Sequence, residues 1–431
     1  MLSRPPGVTA APTAVPVGAL LVSALMLAVG ALTWLLAPEV LTQTLALPRA
    51  VALTHVFTLG FVSLAFAGTL QQLPPVLLNT NLAWARSGVV TLPLAAIGVA
   101  MLVLGFERGF SPGLLIAGGA LIVVSWTVLL AQLLKTTKGA RLRNESSAAL
   151  ITAIGYLWLT VVVGLLLASA RSSPAIVGAV GYPRDLHLQL GMLGAFLLGI
   201  AGAGQRLLSM FALSKGGAAW RVKAMILLVH ALIACELSAA FARVDLGPLP
   251  VLILVGIGTL QVLEIGAILK RRLRRRLEPP VLRFVLGHAF LPIAAALLVF
   301  GAVEAAGVAF LLGFVGLAVS GMAVKIVSFL TWTAAFAQKP GTAAPTHPRG
   351  APPMLKDMVH PVLEPTITIG LALGALLAAA ALVTGHTQLS LVGAACYLAG
   401  ATALLAQLIH VVLVAGGVLK VRVAAVEAQA R

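Results

Sequence analysis

Residues 59–75 read LGFVSLAFAGTLQQLPP, and the same pattern returns as LGAFLLGIAGAGQRLLS at 193–209 and LGFVGLAVSGMAVKIVS at 312–328. Each copy starts with Leu-Gly, has a second glycine eight residues after the first, and has Gln, Arg or Lys four residues later. The copies begin 134 and 119 residues apart. Internal repeats at a long period indicate one structural unit used several times. We therefore divide the chain into three pseudo-equivalent units.

The composition is that of an integral membrane protein. Of 431 residues, 60% are apolar and only 10% are charged, which excludes a soluble globular domain. Apolar runs of about 20 residues, enough for a helix to cross a hydrocarbon core of ~30 Å, recur throughout. We predict an all-α, polytopic fold with three units of four transmembrane helices. The twelve predicted spans lie near 15–37, 51–77, 87–106, 111–134, 147–169, 185–213, 219–242, 249–270, 281–302, 304–336, 364–384 and 389–417.

We predict a single transmembrane domain over residues 1–431, with repeat units at approximately 15–134, 147–270 and 281–417. A predicted cytoplasmic loop at 337–363, rich in Pro and Gly, separates the last two spans from the rest. Most other connections are short, as close-packed antiparallel helices require.

The repeated motif favours close helix packing. Two glycines eight residues apart lie about two turns apart on one helix face, so a neighbouring helix or a flat ligand can approach the backbone. The polar residues Gln72, Arg206 and Lys325 fall near the cytoplasmic ends of their spans. There a long side chain can reach the membrane surface and act as an anchor, or it can serve a function.

Lysine and arginine are distributed unevenly across the predicted bundle. With the N-terminus inside, 24 of the 29 basic residues fall on the cytoplasmic side. Only five fall outside: Arg49, Arg108, Arg171, Arg184 and Arg243. This positive-inside bias means that the net charge of +17 indicates orientation and not a nucleic-acid partner. We predict a bacterial-type inner membrane, cytoplasmic termini, and a basic cluster at 270–276 near anionic lipid head groups.

Five histidines fall inside predicted spans, where ionisable groups are costly and are candidates for function. His55 and His187 lie near the outer ends of the second and sixth spans, His230 at mid-depth in the seventh, His288 in the ninth and His410 in the twelfth. Imidazole is a good ligand for haem iron and copper. The alternative for each is a ring that only hydrogen-bonds a carbonyl of a neighbouring helix. The remaining three, His347, His360 and His386, fall in loops or at helix ends, where we expect them to be solvated.

Three groups of four spans, with histidines at the outer ends of the second and sixth spans and in the seventh, resemble the heme-copper oxidase subunit I superfamily. This superfamily includes cytochrome c oxidase, the nitric oxide reductase large subunit and NnrS-type membrane proteins. The segments HVFTLGF at 55–61 and GMAVKIVSFLTW at 321–332 look most like the divergent, non-oxidase members. The resemblance implies that His55 is a haem ligand, His187 a copper ligand, and His230 one of a pair of metal-binding histidines.

The chain departs from the oxidases of this superfamily in three ways. The tenth span has no histidine, where the oxidases have two. Val229-His230 replaces a His-His pair, and Gly191 stands one turn after His187, where the oxidases have a tyrosine. The resemblance therefore implies a membrane protein that binds haem, with copper as a second candidate cofactor, and that lacks a complete oxygen-reducing centre. Further candidate ligands are Met192, His288 and His410.

Two carboxylates, Glu236 and Glu264, also fall inside predicted spans. They could relay protons, form part of a solute path, or make structural ion pairs between helices. The predicted partner of Glu264 is either Lys325 or Arg206.

Three functional hypotheses remain open at the level of sequence. The first is a haem- or copper-binding relative of the oxidases in a nitric-oxide or metal stress response. The second is a transporter of a small solute or metal, with a site at the repeat interfaces. The third is a cofactor-free accessory subunit. The partners that these hypotheses imply are the lipid bilayer and other membrane subunits or an electron donor.

Overall fold

The computed structural model describes residues 9–138, 140, 144–170, 184–242, 244, 246–337 and 353–419. Within these residues the chain is helical, and twelve helices are long and apolar enough to cross a membrane. We number them spans 1 to 12: Ala14–Leu36, Pro48–Leu70, Gly88–Glu107, Pro112–Lys138, Glu145–Ala170, Arg184–Phe211, Ala219–Ala239, Leu249–Lys270, Pro279–Val299, Val303–Phe336, Leu363–Thr384 and Thr387–Ala415. The all-α fold and the twelve predicted spans are confirmed, because hydropathy over about 20 residues is a strong local signal.

The predicted loop at 337–363 is described only in part, since residues 338–352 lie outside the described residues. The part that follows them contains a short 3-10 helix, Leu355–Met358, whose Met358 is buried.

The second span of each predicted unit lies deepest in the bundle. In spans 2, 6 and 10, 72%, 61% and 83% of the most apolar stretch is buried, and no other span exceeds 56%. Spans 7 and 8 are the least buried, at 28% each.

The repeated glycines explain this packing. A Cβ on the second glycine of each motif would lie close to a carbonyl oxygen of the preceding span: 3.2 Å for Gly68, 2.8 Å for Gly202 and 2.5 Å for Gly321. Only glycine allows these backbones to approach so closely. The same helix-pair contact therefore occurs three times, while the arrangement of whole units around a threefold axis stays a prediction.

Each of the three inner spans contains a π-helical segment: Val56–Ser63, Leu190–Leu197 and Ala309–Val315. Their starts are spaced like the sequence repeats, 134 and 119 residues apart. The π-helix is rare, and short π segments inside α-helices often occur at functional sites. His55 comes directly before the first segment and His187 three residues before the second.

Candidate metal site

His55 and His187 lie side by side near the start of spans 2 and 6. Their ring centroids are 6.2 Å apart and their ring planes differ by 24°. Both residues are half-buried. Packing of the two inner helices therefore brings together two candidate ligands that come from different predicted repeat units.

The hydrogen bonds of these rings determine which nitrogen is available. His55 Nδ1 lies 2.8 Å from the carbonyl oxygen of Val51, and His187 Nδ1 lies 3.0 Å from the carbonyl oxygen of Thr160. Because a carbonyl only accepts, each neutral ring carries its proton on Nδ1 and donates it there. Neither Nε2 atom forms a hydrogen bond with a described residue. Each ring therefore keeps one nitrogen lone pair for a ligand.

Small and aromatic neighbours set the positions of the two rings. The ring of Phe106 lies 4.7 Å from that of His55. A Cβ on Gly164 of span 5 would lie 3.0 Å from Cε1 of His187, so the missing side chain leaves room for that imidazole. An ion pair between Arg49 and Glu107, at 3.6 Å, joins spans 2 and 3 at the same end of the bundle.

His230 does not join this pair. Its Nδ1 lies 2.7 Å from the Ile226 carbonyl oxygen, and its ring lies 5.4 Å from that of Tyr156. Tyr156 is one helical turn before Thr160, the residue of span 5 that His187 contacts. Among the described residues, no group of three or more His, Cys, Asp or Glu side chains is placed to hold a metal ion.

His288 is held by two hydrogen bonds. Its Nδ1 lies 2.9 Å from the Phe284 carbonyl oxygen, and its Nε2 lies 3.0 Å from Gln261 Nε2, which can only donate. Both ring nitrogens are therefore engaged within the protein.

The other two candidate ligands are His410 and Met192, and His410 lies apart from the histidine pair. His410 packs on His360 at 5.2 Å between ring centroids. It lies near the end of span 12, whereas the pair lies near the start of parallel spans, so His410 is at the opposite end of the bundle. His360, expected to be solvated, is only half exposed, and its Nδ1 is buried. Met192 packs against the hydrophobic core.

The two intramembrane glutamates are both paired. Glu236 accepts a hydrogen bond from Gln189 Nε2 at 2.6 Å, which joins spans 6 and 7. Glu264 accepts from Gln205 at 2.6 Å, from the Ala218 N–H at 3.0 Å and from Arg221 at 3.1 Å.

The predicted partners of Glu264 were therefore wrong. Lys325 is bound to Glu278 instead, with 2.5 Å between Nζ and Oε2, and Arg206 is exposed. Glu264 prefers Arg221 because span 7 begins beside the end of span 8. Lys325 is also not a surface anchor, since only 5% of its side chain is exposed.

Sequence analysis missed a buried ion pair between spans 9 and 11. Arg283 Nη1 lies 2.9 Å from Glu364 Oε2, and the two side chains are 0% and 1% exposed. Each residue is visible in the sequence as a charge near the start of an apolar span. The sequence around either residue does not indicate that the two form a pair.

An apolar cavity lies where spans 2, 6 and 10 meet. Its volume is about 60 Å³, and its lining includes Phe66, Gly199, Phe284 and Met322. No histidine lines it. Pockets for organic ligands usually measure about 300–1,000 Å³, so this cavity is too small for a haem.

Comparison with known proteins gives no relative from which a function can be transferred. No protein-family model matches the chain, and a search of curated proteins finds no significant match. The functional argument therefore depends on the chemistry of the paired histidines.

Proposed function

We propose that this chain is an integral membrane protein that binds a metal centre through His55 and His187. The first candidate is a copper ion, and the second is haem iron. The observation that carries the proposal is the pairing of the two rings, each with Nδ1 engaged by a carbonyl and Nε2 left without a protein partner.

The donor set fits a single metal ion. Imidazole nitrogen suits copper, iron and zinc. An ion bound by both Nε2 atoms at about 2 Å would place the ring centroids roughly 5 to 6 Å apart. The observed separation of 6.2 Å is close to this range. A bound copper ion would supply one-electron redox chemistry and an affinity for small diatomic ligands.

A haem fits the described packing less well. Phe106 and His187 both pack directly around His55, and a macrocycle would have to separate them. The resemblance to heme-copper oxidases favours haem, and the packing favours a bare ion. We propose no complete oxygen-reducing centre, because span 10 has no histidine and His230 has no histidine beside it in the sequence.

The surrounding residues prepare the two imidazoles for a metal. The carbonyls of Val51 and Thr160 select the Nδ1–H tautomer and orient each ring, as outer partners of metal-binding histidines do. The ring of Phe106 packs against that of His55. A role in nitric-oxide or metal stress is the physiological setting that the resemblance suggests.

Metal analysis and absorption spectra test this proposal. The protein is purified in detergent from cells supplied with copper and haem, alongside His55→Ala, His187→Ala and His386→Ala. His386 is the matched control, because it is exposed and its Nδ1 contacts only the Thr384 carbonyl. We expect both site variants to lose the metal and the control to keep it. A wild-type protein without metal and without a haem absorption band would contradict the proposal.

Transport of a small solute or metal is the second candidate function, and one observation favours it. Span 9 is interrupted in the bundle: one helix ends at Gly287 and the next begins at Phe290. The break places the buried ring of His288 against Gln261 of span 8. Interrupted helices often form transport sites. Metal-independent solute uptake into proteoliposomes that is lost in His288→Leu would favour this function. A protein with neither metal nor transport would fit the accessory-subunit hypothesis.

A further inference from the structure

Two loops at one end of the bundle are joined into a single surface. The loop at 212–216 follows span 6. The segment 270–276 begins with the last residue of span 8 and continues into the loop that follows it. The backbone N–H of Leu273 donates to the Leu213 carbonyl at 3.2 Å, and that of Arg274 donates to the Ala212 carbonyl at 3.2 Å. We call this surface the two-loop platform.

The platform and the helix ends that flank it have a large excess of positive charge. Segments 206–223 and 264–278 contain ten basic residues and two acidic ones. Both acidic residues are already paired, Glu264 with Arg221 and Glu278 with Arg274 and Lys325. The other eight basic residues form no ion pair with a described residue. They are Arg206, Lys215, Lys223, Lys270, Arg271, Arg272, Arg275 and Arg276.

Large apolar side chains stand among these cations. Leu273 is 81% exposed, Leu213 is 55% exposed and Trp220 is 59% exposed. Leu213 has a φ of +53°, in the left-handed region that a leucine rarely adopts. The backbone bonds between the loops hold it there. Exposed apolar groups surrounded by positive charge fit a membrane interface, where tryptophan is enriched, better than they fit a soluble anion.

We propose that the two-loop platform is a binding site for the phosphate head group of an anionic phospholipid such as phosphatidylglycerol. The unpaired arginines and lysines contact the head group, and Leu213, Leu273 and Trp220 lie at its acyl-chain boundary. Basic clusters directly beside a transmembrane helix attract anionic lipids, at about a fivefold gain in affinity per Lys or Arg. This site is separate from the histidine pair, so its test does not depend on the proposed function.

A lipid titration tests the charge contribution. The full-length protein in detergent is titrated with phosphatidylglycerol that carries a fluorescent acyl chain, and with phosphatidylcholine as the neutral probe. We expect tighter binding of phosphatidylglycerol, weakened by salt. The double variant Arg275→Gln/Arg276→Gln should bind it roughly 30-fold more weakly. The matched control Arg86→Gln/Lys138→Gln removes the same charge from exposed residues at the same end of the bundle, and should change binding little.

The outcomes distinguish a specific lipid-binding site from non-specific attraction by surface charge. Equal binding of the two lipids, or an equal loss in the control variant, would overturn the proposal. Leu273→Ser should weaken phosphatidylglycerol binding because it removes the apolar contact. Full competition by inorganic phosphate, with no effect of Leu273→Ser, would mean a phosphate site instead of a lipid site.

Discussion

Arg283 and Glu364 form an ion pair inside the bundle, with 2.9 Å between Nη1 and Oε2 and almost no exposed surface on either side chain. The pair joins span 9 to span 11. Arg283 Nε and Glu364 Oε1 have no hydrogen-bond partner, so the pair is only partly satisfied. Two charges have been removed from water, and each depends on the other for compensation.

Removing one partner of this pair should destabilise the protein strongly. We expect Glu364→Leu to lower the free energy of unfolding by about 3–5 kcal/mol, because it leaves the guanidinium buried and unpaired. The double variant Arg283→Met/Glu364→Leu should recover most of the loss. Thermal unfolding in detergent measures both. A double variant no more stable than the single one would show that the charges do not compensate each other.

A side chain added at residue 164 should lower the metal affinity of the histidine pair. In Gly164→Val the side chain would begin 3.0 Å from His187 Cε1 and displace the ring. Metal affinity should fall by roughly 10- to 100-fold, the usual effect of disturbing the groups that orient a ligand. Gly155→Val is the control on the same span, since a Cβ there has no atom within 4 Å. Equal metal affinity in the two variants would argue against His187 as a ligand.

Metal binding should weaken as the pH falls. A histidine must be neutral to bind a metal, so at a pH where both rings are protonated, metal binding should release two protons, one from each histidine. The measurement is metal affinity against pH in the wild type and in His55→Ala. A wild-type curve with no dependence on pH would contradict ligation by histidine.

The motif glycines should be intolerant of even one added carbon. A Cβ at residue 321 would lie 2.5 Å from the Pro280 carbonyl oxygen, so Gly321→Ala must push spans 9 and 10 apart. We expect a loss of about 1–3 kcal/mol. Gly266→Ala, where a Cβ meets no atom within 4 Å, should be neutral or slightly stabilising. The comparison uses thermal unfolding, and equal stabilities would disprove close packing at residue 321.

Glu278 should make stability depend on acidic pH. Burial raises its pKa, but the hydrogen bonds and charges of Lys325 and Arg274 outweigh burial, so the pKa lies below the usual value of a glutamate. The ionised carboxylate therefore adds to the free energy of unfolding at pH values above its pKa in the unfolded chain. This stabilisation is lost as the pH falls through the lower pKa of the folded protein. Glu278→Gln should reduce the acid sensitivity of thermal unfolding. An unchanged pH profile would show that Glu278 does not control it.

The sequence alone was enough to predict the spans and the close contacts of the inner helices. Hydropathy identifies a span from its own residues, and two glycines on one face indicate close approach whatever the neighbour is. The pairing of His55 with His187 was implied only in part, by a resemblance that gave them different metals. The hydrogen bonds that occupy both nitrogens of His288 could not be read from the sequence.

The amino-acid sequence by itself determined the class of protein, the number of spans, and the positions of the motif glycines, because each depends on residues close together in the chain. Tertiary structure decided which ionisable groups meet. Glu264 contacts Arg221 and not Lys325, and Arg283 finds Glu364, which is 81 residues away in the chain. The physical reason is that the partner of a buried charge depends on how each helix is rotated and which helix lies beside it. Packing of the whole bundle sets both.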